Sequence, residues 1–166
     1  MIQGMNVEQE QAGLLSTAKH GAELILQKGQ EVRPLLLTLH GEEPKNITLV
    51  AMPIPMSNRA ESRAFLIGAA QAFPLFVTVQ EIWKSHCTKE EAEDPNRPPP
   101  SQDPKRTEAV AVCLIYQGKT IHQDMLVFVR KDGKVTFGKW ESDKDDGVAS
   151  WTIPKDSIFP PKEEIA

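Results

Sequence analysis

The residues best suited to chemistry lie on either side of one long polar segment. Glu81 and Trp83 stand two apart before it, and Asp103, Arg106 and Glu108 gather after it in Asp103-Pro104-Lys105-Arg106-Thr107-Glu108-Ala109. Two-residue spacing sends side chains to one face of a strand, so Glu81 accompanies Trp83, and Arg106 accompanies Glu108 if the strand begins there. A carboxylate in such a set can act as a base, and an arginine can hold an anion. The same residues also suit an architectural task. Arg106 and Glu108 at a strand entrance can anchor the polar segment through charge-assisted hydrogen bonds, with Trp83 as a lid. Asp103-Pro104 reads as the turn that opens into that strand.

Other chemistries find less to stand on. The chain has no G-x-x-x-x-G-K-[ST], G-x-G-x-x-G, H-E-x-x-H or G-x-S-x-G. His20, His40, His86 and His122 are scattered, without the local spacing that preforms a metal site. Asp143-Lys144-Asp145-Asp146-Gly147 imitates the opening of a calcium loop, but its glycine comes one position early, so it reads as a solvated turn. Asn46-Ile47-Thr48 is an acceptor for glycosylation only in a secreted chain. Cys87 and Cys113 form no C-x-x-C pair and are too few for a disulfide framework. Cys113 sits in an apolar run and reads as a small core residue, whereas Cys87 borders the polar segment and could be exposed. No cofactor and no metal is expected.

Read in order, E-x-W (Glu81, Trp83), a Pro-rich acidic loop and P-S-x-D-P-x-R-x-E-A (Pro100, Ser101, Asp103, Pro104, Arg106, Glu108, Ala109) resembles a pattern in small uncharacterised bacterial and phage-associated proteins. The resemblance covers only the middle of the chain. It implies a bacterial protein and brings no activity with it.

The elements that must position these residues follow from periodicity and punctuation. Residues 8 to 28 read as an amphipathic helix, with Leu15, Ala18, Ala22 and Ile25 at helical spacing, Leu14 and Leu26 alongside, and Lys28-Gly29 as its stop. Residues 34–39 and 47–52 read as strands, halted by Pro53 and Pro55. A second helix follows from an N-cap at Ser57 to about Phe73, its stripe being Ala60, Ala64, Ile67 and Ala70, widened by Phe65, Ala69 and Phe73. Residues 75–83 make the third strand. The stretch from Lys84 to Thr107 holds five prolines and the run Glu90-Glu91-Ala92-Glu93-Asp94, so no regular structure is expected there. Residues 110–116, 124–130 and 134–140 read as three more strands, the last two joined by Asp132-Gly133, a dipeptide that favours a two-residue hairpin turn. That turn pairs Phe128 with Phe137. It puts Leu126, Phe128, Val135 and Phe137 on one face, and Met125, Val127, Val129 and Trp140 on the other. The basic group Arg130, Lys131 and Lys134 then crowns a solvated tip. Residues 148–153 add a short strand before the Pro-rich tail 154–166.

These pieces predict one α+β domain over residues 1–166: a mainly antiparallel sheet of about six strands, with two helices on one face, in the order α-β-β-α-β-long loop-β-β-β. With 166 residues, a net charge of −4 and an ordinary hydrophobic share of 40%, the chain suits a folded cytoplasmic protein. No signal peptide and no membrane-spanning run is legible. Dispersed Lys and Arg argue against nucleic acid. Two functions remain. One is a non-catalytic protein-interaction module that holds a partner, or a second copy of itself as a homodimer, through Met125, Val127, Val129 and Trp140. The other is a small-ligand binder or small enzyme with its pocket near Glu81, Trp83, Asp103, Arg106 and Glu108.

Overall fold

The apolar run Val110 to Ile115 is buried along its whole length, which requires cover on both sides of the strand that carries it. A computed structural model, which describes residues 5–42, 44–84, 88–98 and 102–142, shows how that cover is built. The described elements are α1 (Val7–Gln27), β1 (Leu35–His40), β2 (Thr48–Pro53), α2 (Arg59–Ala72), β3 (Leu75–Lys84), a five-residue α3 (Lys89–Glu93), β4 (Thr107–Tyr116), β5 (Lys119–Lys131), β6 (Lys134–Phe137) and β7 (Glu141–Ser142). A 3-10 turn at Pro44–Asn46 joins β1 to β2. One sheet takes up every strand in the order β2-β1-β3-β4-β5-β6, with β7 also on β5, and every pairing is antiparallel.

The helices lie on opposite faces, not on one. Leu14, Ala18, Ala22 and Leu26 of α1 share a core with Leu37, Val77, Val112 and Leu126. Leu66 and Ala69 of α2 share another with Leu36, Phe76, Cys113 and Ile115. Neighbouring strand residues alternate between the two cores, as the period of two demands. The stripe of α2 is also rotated from the expected one. Ser62, Leu66 and Ala69 are buried and Ala60 is exposed. The Ser62 hydroxyl donates to the Pro55 carbonyl and fixes that rotation.

Local signals explain the boundaries. Asn6 caps α1 in a capping box with Gln9. At its other end, Gly29 N–H donates to Leu26 and Gln30 N–H to Ile25, a Schellman stop at the expected Lys28-Gly29. Asn58, not Ser57, caps α2 through Glu61 N–H, while Ser57 bonds to the Glu61 carboxylate. The polar segment holds regular structure after all, because Thr88 and Glu91 form a capping box that starts α3. Gln117-Gly118, with φ 49 and 75, turns β4 into β5 and lengthens β5 by five residues beyond the expected start at 124.

The Asp132-Gly133 hairpin has the predicted register, Phe128 opposite Phe137 and Lys131 opposite Lys134. Trp140, however, does not share a face with Met125. Phe128 pairs with Phe137 and Met125 with Glu141, so the three residues 138–140 between β6 and β7 span two of β5. That one-residue bulge reverses side-chain parity and sends Trp140 to the α1 side. There its indole N–H donates to Glu23 at 2.8 Å, and the Lys19 ammonium lies 5.7 Å from its ring centroid. Cys87, Pro100, Ser101, the acidic turn 143–147, the strand at 148–153 and the tail 154–166 lie outside the described residues.

Candidate functional site

At the end of the sheet where α1 stops, three strands and one loop deliver charged residues to a single place. Trp83 sits opposite Glu108, Glu108 opposite Phe128, and Glu81 one rung further in. Arg130 belongs to the same face, two residues beyond Phe128. Its guanidinium lies 4.8 Å from the Phe128 ring centroid and reaches back to Glu81. The fork is two-pronged: Nη2 donates to Glu81 Oε1 at 2.6 Å and Nη1 to Oε2 at 3.1 Å. Nη1 also lies 3.4 Å from Glu108 Oε1, and Nη2 donates to the Gln30 carbonyl at 3.2 Å. Glu81 Oε1 further accepts the Val32 N–H at 2.7 Å. Glu81 therefore ties the segment after α1 to β3 and β5 at once.

Electrostatics follow from this crowding. Hydrogen bonding to Glu81, against the opposing effect of burial, raises the Arg130 guanidinium above its ordinary range, and the charges of Glu81, Glu108 and Glu31 add to it. Arg130 stays charged, and both of its Nη groups are engaged. The cleft around it, about 520 Å³, is lined by Glu31, Glu81, Glu108, Trp83, Arg130 and the backbone near Gly29. Three carboxylates face one guanidinium, so the cleft is net acidic. Gly29 makes the close approach possible: it has φ +71, and a Cβ there would stand 3.1 Å from the Gly133 carbonyl oxygen. Chain reversal after α1 and the hairpin tip thus meet backbone to backbone.

Of the sequence-derived site residues, Glu81, Trp83 and Glu108 converge and Arg106 reaches them through Trp83, while Asp103 belongs to a turn of its own. Arg106 precedes β4, so strand parity does not govern it. Its guanidinium stacks 4.5 Å from the Trp83 ring centroid instead of pairing with Glu108. Asp103 organises its own turn, accepting the Lys105 N–H at 2.8 Å and lying 3.7 Å from Arg97. The cation that the carboxylates hold is Arg130, which the sequence reading left on a solvated hairpin tip. The signal for it was available. In the Phe128–Phe137 register, Arg130 shares the inward face with Leu126 and Phe128.

The hairpin residues scatter in environment. Met125 is buried at 2% exposure, Val127 is half-buried, Trp140 packs towards α1, and Val129 alone is open, at 57%. Met125, Val127, Val129 and Trp140 therefore form no continuous exposed patch. Among the described residues no three His, Cys, Asp or Glu side chains gather as a metal set, and no helix is long and apolar enough to cross a membrane. No protein-family profile, no curated protein and no solved structure matches the chain.

Proposed function

We propose that this protein is a non-catalytic binding module whose acidic cleft receives a basic side chain, arginine or lysine, from a partner protein. The observation that carries this reading is the surplus of carboxylate: Glu31, Glu81 and Glu108 surround the single guanidinium of Arg130 beside the exposed indole of Trp83. An incoming anion meets three carboxylates that share one guanidinium and must displace Glu81 from Arg130. An incoming ammonium or guanidinium meets Glu31 and shares Glu108 with Arg130, beside the Trp83 indole on which Arg106 already stacks. Exposed Trp and Arg at one cleft also match the composition of protein-binding hot spots. This replaces the anion-holding role that the sequence suggested for Arg106.

The test is titration of the full chain with Nα-acetyl-arginine amide, followed by calorimetry or amide shifts, against Nα-acetyl-glutamate amide as the opposite charge. The basic probe is expected to bind, more weakly as salt rises. Glu108→Gln and Glu31→Gln are each expected to weaken it about three- to tenfold, as for a partly exposed charge pair. Preference for the acidic probe, or indifference to both substitutions, overturns the proposal.

A further inference from the structure

The two edges of the sheet are built differently. At one, β6 is only four residues long, begins with Lys134 and gives way to the bulge before β7. Short length, lysine and a bulge protect a strand that must stay unpaired. At the other, β2 runs through six residues in unbroken register with β1. It lies in a stretch, Asn46 to Asn58, that holds no charged side chain. Among the described residues no strand pairs with its outer side. The hydrogen bonds show which groups that side offers. Ile54 N–H donates to the Pro34 carbonyl at 3.1 Å, so the bonded rungs of this antiparallel pair fall on even-numbered residues of β2. Leu49, Ala51 and Pro53 therefore turn their backbone groups outwards. Pro53 lacks only a donor that the sheet does not use, whereas Leu49 and Ala51 each present an N–H and a carbonyl. Their side chains sit opposite Leu39 and Leu37 on the α1 face, and both are exposed, Leu49 at 43%.

We infer that β2 is the seam of a homodimer, in which the same strand of a second copy pairs with it antiparallel about a twofold axis at Val50. In this register Leu49 faces the partner's Ala51 and Ala51 faces the partner's Leu49, and each pair exchanges both of its backbone hydrogen bonds. Sliding the strands one way sets Leu49 against the partner's Pro53, which has no N–H. Sliding them the other way sets Ala51 against the partner's Ile47, which lies outside the strand. The side chains agree with the backbone. A large exposed leucine lies beside a small alanine on each side of the axis, valine meets valine across it, and no like charges oppose each other. A strand that complements itself in this way favours its own copy over an unrelated peptide, and a twofold closes the assembly at two chains. Six residues a side keep the interface below the roughly 1,200 Å² of stable complexes, so a dissociation constant of about 10–100 µM is expected.

The experiment follows the mass of the full chain by analytical sedimentation from about 10 µM to about 1 mM, over which it is expected to rise from monomer towards dimer. Ala51→Pro removes an outward N–H and no bond within the sheet, and Leu49→Lys places a charge at an exposed position. Each is expected to weaken association about tenfold or more without unfolding the domain. Val50→Cys reads the register. A non-bonded pair on the axis brings its Cα atoms to about 4.5 Å, within the range of a disulfide. Oxidation should therefore link this variant into dimers faster than the native chain, which carries only Cys87 and Cys113. A chain still monomeric at about 1 mM overturns the inference. So does a dimer that both edge variants leave intact, or a Val50→Cys chain that links no faster than the native one.

Discussion

Asp124 and Glu81 are both carboxylates on the α1 face of the sheet, and both are held by a basic side chain. Asp124 is sealed: its side chain is 2% exposed, and Lys19 from α1, His122 and Ser142 converge on it, the last two at 2.8 Å. Glu81 is held as firmly, but Arg130 remains 31% exposed and Glu31 and Glu108 stand beside it in the cleft. The first cluster joins α1, β5 and β7 and leaves no room for a ligand. The second performs a similar joining task at the edge of a cavity, with negative charge left over. Closure, more than the ion pair itself, separates an anchor from a receptor.

That contrast can be broken, beginning with the sealed pair. Asp124→Ala strands Lys19 and removes the acceptor for Ser142, and should cost about 2–4 kcal/mol in chemical denaturation. Asp124 also sets a pH dependence. Burial pushes its carboxyl up, but hydrogen bonds from Lys19 and Ser142, with the charges of Lys19 and His122, outweigh burial and hold it below the usual 3.8. Its contribution is therefore complete above 3.8 and drains away as the pH falls through the lower native value. Asp124→Asn should flatten that acid limb of the stability profile.

Arg130→Met comes next. It should cost about 1–2 kcal/mol, less than a sealed pair because solvent screens it, and should tighten binding of the arginine probe about threefold by leaving Glu81 uncompensated. If Arg130→Met weakens the probe instead, Arg130 contacts the ligand and the cleft is no simple acidic receptor. Arg106→Ala removes a stack on an exposed indole and should cost only about 0.5–1 kcal/mol. The smallest effect belongs to the hairpin. Val129→Ser should change stability by less than about 0.5 kcal/mol. It should also leave the mass by light scattering unaltered, and a dimer that dissolves on this substitution would restore the hairpin as an interface.

The sheet was legible where a short-range rule decides the outcome. Asp132-Gly133 dictates its own turn, and the register of Phe128 and Phe137 follows from it. Glu81 and Trp83 were correctly put on one face because β3 runs straight through them. Legibility ended where one residue alters parity or where a partner is distant in sequence. The bulge before Glu141 turned Trp140 to the opposite face, and no residue type announces it. The stripe of α2 was met on one edge only. Ala69 is buried and Phe65, Ala70 and Phe73 pack against its core, but Ala60 and Ala64 are exposed and Ser62, tied to Pro55, lies inside. Arg106 was put on one face with Glu108 because it is near in sequence, yet the guanidinium beside Glu108 is that of Arg130, twenty-two residues further on.

Glu81 carries one more consequence, for the order in which the molecule is made. Its contacts to Val32 and to Arg130 each span 49 residues, and the Gln30–Arg130 contact spans 100. Closing such distant ends is slow compared with forming a helix or a hairpin. A chain emerging from the ribosome carries α1 and the first three strands well before residue 130 appears. Until then Glu81 has no guanidinium, the turn at Gly29 has no hairpin tip to meet, and there is no receptor to occupy. A partner of the kind proposed for this cleft would therefore select finished molecules and pass over a nascent copy.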